Sequence, residues 1–168
     1  LKPYQKSRIL TFFNPDRDPL GAGYQIIQSK IAIGSGGFFG KGYLKGTQSY
    51  LEFLPEKHTD FIFTLFSEEF GFLGSIILLL LYILLIYRII NVGLLSRSFF
   101  AKLYCFGFAT AIFLYVFVNI AMVLGMLPIV GAPLPIMSYG GSSLLSIMLG
   151  LSIVMSCKIY NQEQISVY

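Results

Sequence analysis

The chain has 168 residues, enough for one ordinary domain, but 55% of them are hydrophobic and only 12% charged, about half the charge of a typical soluble domain. Residues 103–157 contain no Asp, Glu, Lys or Arg, more apolar chain than a soluble fold of this size can bury, which makes this an integral membrane protein. The net charge of +4 is spread thinly and forms no basic cluster of the kind that tracks a phosphate backbone, so nucleic acid is excluded as a partner.

Residues 1–60 differ in character from the rest. They hold eight of the twelve basic residues (Lys2, Lys6, Arg8, Arg17, Lys30, Lys41, Lys45, Lys57) and five acids. The polar, basic start lacks a signal-peptide pattern, and a chain opening on Leu1 rather than Met is expected to be a fragment. Residues 14–21 are turn chemistry, with two prolines, a glycine and Asx residues together. Residues 23–33 then place Tyr24, Ile27, Ile31 and Ala32 on one face of a short amphipathic helix, lying on the membrane surface or docked on the spans. Gly34, Gly36, Gly37, Gly40, Gly42 and Gly46 follow, in a loop that either offers backbone N–H groups to an anion or folds tightly.

From 61 onward the membrane dominates. A first span is expected over 61–87, a loop over 89–102 carrying Arg97 and Lys102, and a second span over 103–127 stopped by Pro128. Gly131, Ala132, Pro133, Leu134 and Pro135 make a tight uncharged turn, and a third span follows, opened by 138–143 and ending before Lys158. The architecture is therefore all-α: a loop region (1–60), a three-span bundle (61–157) and a tail (158–168). Cys105 and Cys157 fall in apolar runs and match neither a disulfide framework nor a metal site. The basic 88–102 segment and Lys158 place their side in the cytoplasm, although the basic leader on the opposite side pulls the other way.

Asp60 stands out, because a carboxylate just before an apolar span sits where chain meets lipid and can serve as a general base. From the residues alone an N-cap for the first span, which needs no function, is the favoured reading. His58 is the single histidine, flanked by Glu52 and Glu56, and a solvated interfacial group is the favoured reading of it from the residues alone. Glu68 and Glu69 lie near the start of a span, where ionisable groups are functional or snorkel to the interface. Ser138 and Tyr139 open a run of small residues that suits helix packing or, alternatively, lines a substrate path.

The strings NPDRDPLGAGYQIIQSKIAIGSGGFFGKGYLKGTQSYLEFLPEKHTDFIF (14–63), SEEFGFLG (67–74) and NIAMVLGMLPIVGAPLPIMSYGGSS (119–143) closely resemble the C-terminal part of the SEDS family (RodA/FtsW/SpoVE), which serves shape, elongation, division and sporulation. Ile129 and Val130 stand where division members carry a Thr-Lys pair, so the resemblance is to the elongation branch. It implies a ten-span fold of roughly twice this length in the bacterial cytoplasmic membrane, with residues 1–60 extracytoplasmic. It also implies a lipid II polymerase, an inverting peptidoglycan glycosyltransferase working with a class B penicillin-binding protein and the elongation machinery. Asp60 matches the family's essential aspartate and would take the proton from the acceptor sugar's 4-hydroxyl as undecaprenyl pyrophosphate leaves. Glu52 matches an acidic position of the same loop that tunes Asp60 or holds a divalent cation. Lys30, Lys41 and Lys45 are the cations available to the pyrophosphate, with His58, Ser138 and Tyr139 as further substrate contacts. A lipid II flippase and a non-catalytic scaffold for the penicillin-binding protein are the competing readings. A chain of three spans is also expected to leave Glu68 and Glu69 without partners.

Overall fold

The computed structural model describes residues 22–46 and 59–166, with side chains for 23–46 and 59–161. The 14–21 turn, Glu52, Glu56 and His58 lie outside the described residues. Among the described residues there are four helices: α1 (Ala22–Gly36), α2 (Ile62–Leu95), α3 (Phe99–Val123) and α4 (Gly141–Ser166). The last three are long and apolar enough to cross a membrane.

The spans differ from the expected boundaries at nearly every end. The 89–102 segment is not a loop: α2 continues to Leu95, and only Ser96, Arg97 and Ser98 turn the chain before α3. Arg88 lies within the helix and does not mark its end. Nor does Pro128 stop α3. Gly125 takes a left-handed φ of 68°, and the N–H groups of Gly125 and Met126 donate to Met122 O (2.9 Å) and Ala121 O (2.7 Å), a Schellman cap that closes the helix at Val123. The 138–143 run precedes α4 more than it opens it, and α4 passes Lys158 to reach Ser166.

α2 and α3 form an antiparallel hairpin. Ala101, Cys105, Ala109, Ile112, Val116 and Asn119 are buried at three- and four-residue spacing along α3, the stripe one helix presents to a neighbour. Gly93 lets the hairpin close, since a Cβ there would lie 2.9 Å from Cys105 Cβ. α4 touches the pair lightly. Its fixed points are polar: Tyr104 Oη donates to Gly150 O (3.3 Å), while Asn161 donates to Leu95 O (3.0 Å) and accepts from Arg97 N (3.1 Å).

α1 is docked on the hairpin by a face that shares Ala32 with the expected one but turns on Ile26 and Ser29 in place of Ile27 and Ile31. Ile26, Ser29 and Ala32 are buried, whereas Ile27 and Ile31 are exposed. The Ser29 hydroxyl is shared between Ile26 O and Val123 O, each at 2.8 Å, so it serves a carbonyl that the end of α3 leaves open.

The glycine loop after α1 resolves into a strap inserted into α2. At Gly71 (φ 68°, ψ −163°) the helix is interrupted. An unbroken helix would send the N–H groups of Phe72 and Leu73 to the carbonyls of Glu68 and Glu69. Here they donate instead to Gly37 O (2.9 Å) and Phe38 O (3.2 Å), and the released carbonyls accept from Lys41 N (3.1 Å) and Gly42 N (3.0 Å). All four groups are satisfied. The approach is backbone to backbone: a Cβ on Gly36 would collide with Ser67 O, on Gly40 with Glu69 O, and on Gly71 with Gly40 N.

Gly71→Ala should therefore cost about 3 kcal/mol, combining a left-handed alanine with overpacking. Gly107→Ala, with nothing within 4 Å of the new carbon, should be neutral or slightly stabilising. Thermal unfolding in detergent of the two variants checks this contrast.

Candidate active site

Asp60 lies in the turn leading into α2 and is half-buried. The N-cap position falls on Phe61, which is buried and makes no side-chain cap. Asp60 thus precedes the cap and faces across the bundle end, where its Oδ2 is 3.3 Å from the position a Cβ on Gly131 would take. Gly131 has φ 77° and belongs to the Pro-rich turn between α3 and α4.

Two buried side chains hold this turn and the Asp60 segment together. Asn119, fully buried in the last turns of α3, donates through Nδ2 to Asp60 O (2.8 Å) and to Ala132 O (2.7 Å). Ser138 Oγ donates to Thr59 O and accepts from Leu134 N, both at 2.7 Å. Tyr82 of α2 donates its hydroxyl to Pro135 O, tying the same turn to the hairpin. Two buried polar atoms here, Asn119 Oδ1 and Thr64 Oγ1, have no hydrogen-bond partner among the described residues.

Behind Gly131 a cavity of about 470 Å³ opens between α3, α4 and the turn. Its walls include Tyr115 and the hydroxyl-bearing strip Ser142, Ser143 and Ser146, facing apolar Phe108 and Ile112. The lining is more apolar than polar, and Gly131, the residue that the Asp60 carboxylate faces, forms part of it.

The other expected site residues are spread around this end. The Lys30 side chain runs along Gly125 at the end of α3, and Lys45 passes Gly42 in the strap. Lys41 Nζ is 2.8 Å from Oε1 of the fully buried Glu68, and Glu69 Oε1 accepts from Leu44 N (3.2 Å). Glu68 and Glu69 therefore have partners within the chain, contrary to expectation, because the strap brings a cation and an amide to them. The strap's inner N–H groups are occupied by α2 carbonyls, which settles the glycine run as a tight fold. Ser138 is buried and Tyr139 is 84% exposed, so the pair divides into one internal and one outward side chain. Asn119 and Gly131 were not singled out from sequence for this site; a carboxamide in an otherwise apolar span was the available signal.

The family model for FtsW, RodA and SpoVE, described as "Cell cycle protein", matches residues 1–163. The chain is 58% identical over 153 residues to the peptidoglycan glycosyltransferase MrdB of Escherichia coli (strain K12), covering 91% of this chain and 41% of that protein. It is 47% identical to the peptidoglycan glycosyltransferase RodA of Treponema pallidum (strain Nichols), covering 93% and 36%, and 40% identical to stage V sporulation protein E of Bacillus subtilis (strain 168), covering 95% and 43%. A chain of a solved structure described as "Structural coordination of polymerization and crosslinking by a peptidoglycan synthase complex" superposes with a TM-score of 0.73 at 40% identity, covering 96% of this chain and 43% of that one. The chain thus spans about two-fifths of the length of these relatives. Its matched residues, its three apolar helices and its fold agree: this is a membrane protein of the FtsW/RodA/SpoVE family, the SEDS family.

Proposed function

We propose that this chain forms the catalytic end of a lipid II-dependent peptidoglycan glycosyltransferase of cell elongation, with Asp60 as general base. The observation that carries the reading is the Asp60 carboxylate held against Gly131, which is itself part of the wall of the serine-bearing cavity. The names of the relatives, MrdB and RodA among them, support the reaction class.

In this reading the carboxylate accepts the proton of the acceptor sugar's 4-hydroxyl, the freed oxygen pair attacks the anomeric carbon of the donor, and undecaprenyl pyrophosphate leaves with inversion to a β-1,4 bond. Lys30 and Lys45 offset the growing charge on the diphosphate. Lys41, drawn in by Glu68, contributes its field from within the strap. Glu52 tunes Asp60 or holds a divalent cation, and His58 and Tyr139 meet the headgroups. The Asp60 end, including 1–60, faces outward from a multi-pass protein of the bacterial cytoplasmic membrane; Arg88, Arg97, Lys102 and the 158–168 tail face the cytoplasm. A class B penicillin-binding protein and the elongation machinery are the partners. A flippase has less support: Asn119 is spent on backbone carbonyls at one bundle end and Asn91 lies beside Arg88 at the other, so neither offers a mid-membrane polar path.

Polymerisation of lipid II by the full-length protein bearing this sequence, with its penicillin-binding protein, tests the assignment. Asp60→Asn should lower the rate by about 10²- to 10⁴-fold while membrane-inserted protein is unchanged; full activity would overturn the base reading. Gly131→Ala should lower the rate at least tenfold, because the new carbon strains a φ of 77° and presses on Oδ2, with a stability loss of about 1–2 kcal/mol. Single-turnover rates and thermal unfolding separate the two effects.

A further inference from the structure

We infer that Asn119 and Ser138 are positioning residues for Asp60, a two-point clamp that fixes the carboxylate relative to the turn it faces. Each bridges the same two segments. Asn119 joins Asp60 O to Ala132 O, and Ser138 joins Thr59 O to Leu134 N. Asp60 and Gly131 are thereby referenced to common anchors, Gly131 being the immediate neighbour of Ala132. The hydrogen bonds of both anchors go to backbone groups, so the clamp sets where the Asp60 main chain stands.

The carboxamide serves stability and position together, since the carbonyls it satisfies belong to the two segments it joins. Asn119 is 0% exposed, and its Oδ1 has no hydrogen-bond partner among the described residues. A buried acceptor left open costs free energy, and a leucine in its place would instead leave the carbonyls of Asp60 and Ala132 without this donor. What leucine cannot supply is two N–H groups diverging from one atom to carbonyls of two separate segments. Ser138 repeats the device with one hydroxyl that donates to one segment and accepts from the other. A misplacement of about 1 Å in a reacting group can cost about 10²-fold in rate, so a clamp on main-chain position has a catalytic effect without touching substrate.

This inference rests on the reading of Asp60 as the base. Its test uses the full-length protein with its penicillin-binding protein in lipid II polymerisation, comparing Asn119→Leu, Ser138→Ala and Asp60→Asn, with folded fraction measured by gel filtration. Asn119→Leu and Ser138→Ala should each lower kcat about 10- to 100-fold at a KM within about threefold of wild type. Ser138→Ala removes a single oxygen and carries the test if Asn119→Leu does not accumulate. Unimpaired kcat, a raised KM alone, or a rate loss that only tracks the folded fraction would overturn the clamp, and with Asp60→Asn inactive the base would still stand. A fully active Asp60→Asn would overturn both.

Discussion

A backbone carbonyl or amide deprived of partners inside a membrane protein costs several kcal/mol, and the break at Gly71 would leave four such groups open. The strap from Gly37 to Gly42 closes all four by exchanging its own N–H and C=O groups for those of the helix. The rest of this end of the molecule depends on that exchange. It requires glycine at each point of closest approach, since any side chain at Gly36, Gly40 or Gly71 would keep the two backbones apart. It also brings Lys41 to Glu68, a carboxylate with 0% exposure that would otherwise be unaffordable so near the hydrocarbon.

The same accounting governs the neighbouring helix end. α3 terminates in a glycine cap; its Val123 carbonyl is met by Ser29, and the turn beyond it by Asn119, Ser138 and Tyr82. Two helix ends and two irregular segments thus satisfy one another in a small volume, and the half-buried carboxylate stands at their junction. Irregular backbone at such depth survives only where protein covers it or a cavity adjoins it, and here both hold. The first piece of α2, from Ile62 to the break, acts as a short post that carries Asp60 at its foot and is braced by the strap behind it.

How much of this was legible depended on the range of the interaction. The all-helical architecture and three spans follow from long uncharged runs, because hydropathy is a sum over local sequence. The position of Asp60 in the turn before α2 was legible from its place before the first run. Span ends were misread where charge or proline was taken as the stop: Arg88 sits inside a continuous helix, and Gly125 ends α3 three residues before Pro128. The Gly71 break was hidden because its partners lie some thirty residues upstream and are backbone atoms, which carry no residue signature. Asn119 was visible as a polar group within a span, but its role lay in carbonyls of Asp60 and Ala132 that only the folded chain brings near.

The separation in sequence between the aspartate and its holders has a consequence for biogenesis. Asn119 and Ser138 follow their carbonyl partners by 59 and 79 positions, so the foot of α2 emerges from the ribosome long before anything can seat it. The α2–α3 hairpin, closed by a three-residue turn and a stripe of small residues, can pack as soon as α3 is threaded into the bilayer. The carboxylate acquires its final address only when the proline-rich turn has followed. A nascent chain arrested within α3 would therefore be lodged in the membrane with the Asp60 segment still waiting for the Ser138 anchor.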